Sequence, residues 1–410
     1  MTTTSTTPPL TLPLRSSDLR GLARLGVDAT LGVTDLVEAM HHTIASGAGI
    51  LGASPKGRTS GITGMVYRSV RGTTRVLGQG ADAVLGALIR PAGGDAASTP
   101  EREAMIAALN GVFGDHLAES GNPLAITASL RRNGRALDLS ADTLAAQIPD
   151  AGGRLLVLAH GLCMNDLQWT RGNHDHGQAL ARDLGVTPVY LHYNSGRHVS
   201  QNGRDFAELL ERVVAQWPVP VKQLAIVGHS MGGLVARSAC DHAALAGQTW
   251  LAALKKLVFL GTPHHGAPLE RGGRQIDRVL GISPYVRPFA RLGKARSAGI
   301  TDLRFGNLQD ADWQHRDRHA QHHDDRKPMP LPEGVRAYLL AATTAERVGG
   351  LHSALIGDGL VPVASALGEH RDPALALTVP KSHRRIVTEC GHLDLLCNDE
   401  VYAQLRAWLK

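Results

Sequence analysis

Aromatic residues are scarce, at 4% of the chain, so its core must be built from aliphatic side chains and alanine. With 46 glycines among 410 residues, helices are expected to pack closely on small side chains. Cysteine occurs only at positions 163, 240, 390 and 397, without metal-type spacing, which excludes a disulfide scaffold and a zinc module. A Cys390–Cys397 bridge is conceivable, but buried reduced thiols are the expected state. No apolar run is long enough to span a bilayer. The opening Met1-Thr2-Thr3-Thr4 and the Pro8-Pro9 pair lack the basic-then-apolar layout of a signal peptide, so a cytoplasmic location is expected. Lys and Arg never gather into a dense block. A net charge of +6 therefore speaks against a nucleic-acid partner and leaves a modest attraction to anionic surfaces.

What is present is ordinary for a soluble globular chain, with 43% hydrophobic and 20% charged residues. Residues 1–17 are rich in Thr and Pro and read as a disordered tail. Residues 18–120 read as a helical accessory region. Leu22, Leu25, Val33, Leu36, Val37, Met40 and Ile44 recur at helical spacing, as do Val66, Val70, Val76, Leu77, Val84, Leu85 and Leu88 in a second stretch. A third helix is expected from Pro100 to about Leu117. The region is either a packed accessory layer or an amphipathic element in peripheral contact with a lipid surface or a partner.

Residues 121–410 read as one catalytic domain. It starts with a hairpin at Arg131-Arg132-Asn133-Gly134. Strand and helix signals then alternate, with strands at 154–159, 187–192, 223–227, 256–260 and 335–341, and a last one at 376–379 or 386–389. The pattern implies an α/β architecture, an open and mostly parallel sheet with helices on both faces. From about 266 to 331 the pattern breaks down, and a cap or lid insertion is expected. Its histidines and aspartates between His315 and Asp325 are spaced irregularly, as in a solvated loop rather than a metal site.

The chemistry gathers at strand ends. Val227-Gly228-His229-Ser230-Met231-Gly232-Gly233 places a serine between a strand and a helix, with glycines where side chains would collide. A serine hydroxyl needs a base, an orienting acid and an oxyanion site to act as a nucleophile. His160-Gly161-Leu162 ends an earlier strand and can turn a backbone N–H inward. Leu162 and Met231 are then the expected oxyanion donors. Asp358 lies between two glycines, and His392 follows Gly391 after the last strand region.

Together with Gly261-Thr262-Pro263-His264-His265-Gly266 and Asp358-Gly359-Leu360-Val361-Pro362, these motifs resemble the α/β-hydrolase lipases and esterases. The likeness is nearest to bacterial triacylglycerol lipases and the GPI-inositol-deacylase-like group, and it covers about residues 150–410. It implies Ser230 as nucleophile, His392 as base, Asp358 as acid, and Leu162 and Met231 as oxyanion donors. It also implies cleavage of a hydrophobic ester or lipid without an organic cofactor. Bacterial lipases with His-Leu-Asp at the catalytic histidine use the aspartate as a calcium ligand, which makes Asp394 a candidate metal ligand here. Acyl transfer, polyester depolymerisation and a non-catalytic scaffold remain as alternatives.

Overall fold

At the hairpin tip, Asn133 and Gly134 have φ values of 52° and 74°. Two successive positive φ angles match the right-handed twist of the flanking strands, so the chain turns back in two residues. β1 (Ser129–Arg132) thereby pairs antiparallel with β2 (Arg135–Ala136), and β1 also pairs antiparallel with β4 (Thr187–His192). From there the sheet is parallel: β3 (Arg154–Ala159), β5 (Gln223–His229), β6 (Leu254–Leu260), β7 (Arg336–Ala342) and β8 (Arg384–Val387) complete the order β2-β1-β4-β3-β5-β6-β7-β8. The computed structural model describes residues 15–45, 61–88, 98–267, 297–316, 324–347 and 357–410.

The inner strands are apolar runs because both of their faces are covered. Leu155, Val157 and Ala159 of β3 join one core cluster, with Phe206 and Leu210 of α6 (Val199–Gln216) and Leu234 and Val235 of α7 (Met231–Ala246). Leu156 and Leu158 join the other, with Leu180 of α5 (His176–Leu184) and Trp408 of the helix Asp399–Leu409. The side-chain period of two along a strand thus sorts the core into two layers around one sheet. The antiparallel start, the parallel run and helices on both faces make this an α/β-hydrolase fold.

The chain divides into two compact units, residues 1–96 with 119–124, and residues 97–118 with 125–410. The first contains α1 (Ser16–Ala45) and α2 (Gly61–Leu88), paired through Arg71 of α2, which meets Asp35 of α1 at 2.8 Å and also Glu38. The third helix, α3 (Pro100–Glu119), lies almost entirely in the sheet unit. Its glycines explain why. A Cβ on Gly111 would sit 2.1 Å from Cys163 Sγ, and one on Gly114 would sit 1.8 Å from Asn194 Oδ1. Ser297 Oγ donates to Gly111 O at 2.7 Å.

Three expectations change. The tail reading reached residue 17, but α1 begins at Ser16, and residues 1–14 lie outside the described set. The last strand is Arg384–Val387, and 376–379 forms none. Within the expected 266–331 insertion, Ala298–Phe305 is a helix with Ile300 and Leu303 in the core, while 268–296 and 317–323 lie outside the described residues. All four cysteines are free. Among the described residues, no helix is long and apolar enough to cross a membrane.

Candidate active site

Ser230 stands between β5 and α7 with φ 53° and ψ −124°, a conformation that L-residues rarely adopt. The surroundings over-determine this strain. Ser230 N donates to Leu260 O at 2.9 Å. A Cβ on Gly228 would come within 2.5 Å of Gly233 Cα, and one on Gly232 within 2.2 Å of Ala159 O. Helix and strand therefore approach to a distance only glycine allows, and the positive end of α7 is aimed at the serine.

The end of β3 approaches the serine equally closely, since a Cβ on Gly161 would lie 3.1 Å from Ser230 Cβ. His160 is turned away from the chemistry. Its Nδ1–H donates to Gly161 O at 2.8 Å, its ring stacks on Tyr193 at 4.4 Å, and burial pushes its pKa down to about 3. Tyr193 donates its hydroxyl to His160 O at 2.8 Å and pins the loop. Leu162 lines the pocket above Ser230. Met231 is buried and opens α7, where first-turn amides have no acceptor within the helix.

Asp358 and His392 meet on two loops. Asp358 Oδ2 accepts from His392 Nδ1 at 2.7 Å, and its Oδ1 accepts from Leu360 N at 3.0 Å and Val361 N at 2.8 Å. His392 N donates to Asp358 O at 3.0 Å, so backbone and side chain both hold the pair. With Nδ1–H committed to the carboxylate, Nε2 is left with its lone pair free to accept. Gly357 and Gly359, at φ 55° and 96°, give the loop its sharp turn. Gly261, from the Gly-Thr-Pro-His-His-Gly motif, lies under the pair; a Cβ there would sit 3.1 Å from Asp358 Oδ2 and 3.3 Å from His392 Cε1.

Two other carboxylates lie near the histidine in sequence. Asp394 Oδ2 accepts from Gly391 N at 3.0 Å, and neither Asp394 nor Glu389 is the carboxylate that meets His392 Nδ1, which is Asp358. Among the described residues, no group of three or more His, Cys, Asp or Glu converges as a metal site. Of the histidine-rich stretch, 317–323 lie outside the described residues, while Asp324 and Asp325 pair with Arg326 and Arg316.

Ser230 and His392 share one pocket, walled by Leu162, Met164, Leu303, Leu360, Val361 and Leu393. Among the described residues, no Asp, Glu, Lys or Arg lines it. Two supporting histidines were not singled out from the sequence. His229, beside Ser230, donates from Nε2 to His392 O at 3.0 Å, with its ring 4.7 Å from that of His392. Burial, then the neighbouring His392, hold its pKa well below the usual histidine value. His176 donates from Nε2 to Leu395 O at 2.9 Å, behind the same loop. The only sequence signal for His229 is its place inside the elbow; for His176 there is none.

Comparison with known proteins adds a family model described as a domain of unknown function, DUF7379, which matches residues 128–288. No curated protein sequence matches the chain. Among solved structures, the chain is similar to the mature form of the lipase BlEst2 from Bacillus licheniformis, at 17% identity and TM-score 0.39, over 63% of this chain and 92% of that one. It is also similar to lipase B of Aspergillus fumigatus, at 11% identity and TM-score 0.38, over 66% and 57% of the two chains. A third similarity is to a thermophilic esterase from Thermogutta terrifontis, at 15% identity and TM-score 0.36, over 63% and 90%.

Proposed function

We propose that the protein is a serine hydrolase that cleaves carboxylic esters through a Ser230–His392–Asp358 triad. The observation that carries this reading is the placement of strained Ser230 and Asp358-held His392 in one pocket. Ser230 Oγ attacks the ester carbonyl while His392 Nε2 takes its proton. Leu162 N–H and Met231 N–H stabilise the oxyanion, and His392 returns the proton to the departing alcohol. Water, deprotonated by His392, then releases the acid from the acyl-enzyme. Asp358 holds the imidazole in the tautomer that leaves Nε2 free and stabilises the imidazolium. The apolar side chains among the pocket's described walls favour a neutral, apolar acyl group, as in a lipase or esterase substrate.

Turnover of p-nitrophenyl esters of rising chain length, together with covalent labelling by a fluorophosphonate, tests the proposal. Wild-type chain should be labelled and active, and Ser230→Ala should lose both, with a fall in kcat of about a millionfold by analogy with other triad knockouts. Wild-type turnover by Ser230→Ala would show that another group is the nucleophile.

A further inference from the structure

Helix α2 has the polarity of its faces reversed. Between Met65 and Gln79 its inward residues are Arg71, 2% exposed, and the half-buried Tyr67 and Thr74. These recur at i, i+4 and i+7, one stripe of a helix, and Arg71 is the residue that pairs with Asp35 and Glu38 of α1. The aliphatic residues face outward: Met65 is 58% exposed, Val66 52%, Val70 42%, Val76 67% and Leu77 68%. At about 100° per residue they fall within an arc of about 140°, which also holds the exposed hydroxyls of Ser69 and Thr73. On α1, Leu19 and Leu22 are exposed as well, at 48% and 39%. A helix whose packing is complete in water turns these faces the other way.

Charge indicates what covers the stripe. Arg68 and Arg75 are exposed, two turns apart, and border the arc on the side of Met65 and Val76. Residues 61–81 contain no Asp or Glu; Asp82 is the first acidic residue of α2. A second copy presenting the same face would add two more arginines and no carboxylate to meet them. An anionic bilayer offers both halves of the match, acyl chains for the aliphatic arc and phosphates for the guanidinium groups. We propose that the outward face of α2 is a docking surface for an anionic phospholipid membrane, on which the helix lies flat. The inference does not depend on the ester-hydrolase reading.

Co-sedimentation of the full chain with vesicles of phosphatidylcholine alone, or mixed with phosphatidylglycerol, provides the test. Wild-type chain should pellet with the mixed vesicles, less so as salt rises, and stay in solution with phosphatidylcholine. Arg68→Gln and Arg75→Gln should each lower the partition coefficient about fivefold. Leu77→Asp or Val70→Asp should abolish binding, and none of these variants should change turnover of a soluble ester. A wild-type chain that ignores anionic vesicles, or binding that survives Leu77→Asp, would overturn the proposal. A concentration-dependent dimer in analytical ultracentrifugation, broken by Leu77→Asp, would assign the face to a second copy and overturn it too.

Discussion

Asp358 divides its carboxylate, one oxygen on the His392 ring and the other on two backbone amides of its own loop. Asp358→Asn should therefore preserve the loop but favour the wrong imidazole tautomer, a change that lowers kcat by about 10⁴ in the serine-protease precedent. Asp394→Asn removes only the charge that receives Gly391 N–H. It should cost about 1–2 kcal/mol of stability, seen as a lower Tm, with kcat little altered. Comparable kcat losses in the two variants would refute the division of roles. A pH effect follows from His160 and His176, which burial holds at about 3 and about 4 in the folded chain. Unfolded, both titrate near 6.5, so above about pH 6.5 both states are neutral and the contribution is flat. As pH falls below that value, only the unfolded state takes up protons. Stability should drop by up to about 1.4 kcal/mol per pH unit for each histidine until the folded pKa values are reached. Melts between about pH 7.5 and about pH 5 check this, and an unchanged Tm would show that these histidines are not held neutral. Ser230, Asp358 and His392 could be singled out from the sequence because their residue types follow glycines near strand ends. Their approach to one another was visible only in three dimensions. His229 was harder to find, since nothing in a linear chain says that its ring reaches a carbonyl at position 392.

Buried parallel strands are legible as apolar runs, and β3 and β4 occupy the stretches their composition marks. The location of α3 was less legible. The helix itself can be found from its spacing, but α3 buries small residues (Ala107, Ala108, Gly111, Gly114) together with Leu109, Val112 and Leu117, and nothing in that pattern says which unit it packs against. Its partner surface, at Cys163 and Asn194, lies far along the chain. Gly111→Ala should place a methyl group against Cys163 Sγ and Cα and cost about 1–3 kcal/mol in urea unfolding. A neutral result would mean that the helix moves freely on the sheet. The reversed polarity of α2 was equally hidden, because helical periodicity finds an apolar stripe without saying which way it faces.

The division near residue 97 makes a prediction about the whole chain. A chain begun at 97 should keep the sheet unit intact and retain turnover of small soluble esters, whereas one begun at 120 loses α3 and should aggregate or melt at lower temperature. Equal behaviour of the two truncations would mean that α3 is dispensable. The strand order carries a consequence for the sequence of events in refolding. Ser230 follows a central strand whose neighbour β6 lies nearby in the chain. Asp358 and His392 arrive with β7 and β8, and β7 pairs with β6 only after the chain between Leu260 and Arg336 has looped back. Closing that loop is among the most non-local steps in the sheet, and non-local pairings form slowly. After dilution from denaturant, the fluorescence of Trp169 and Trp250 should therefore recover first, with ester turnover lagging behind it. Ser230 would be in place before His392 has arrived.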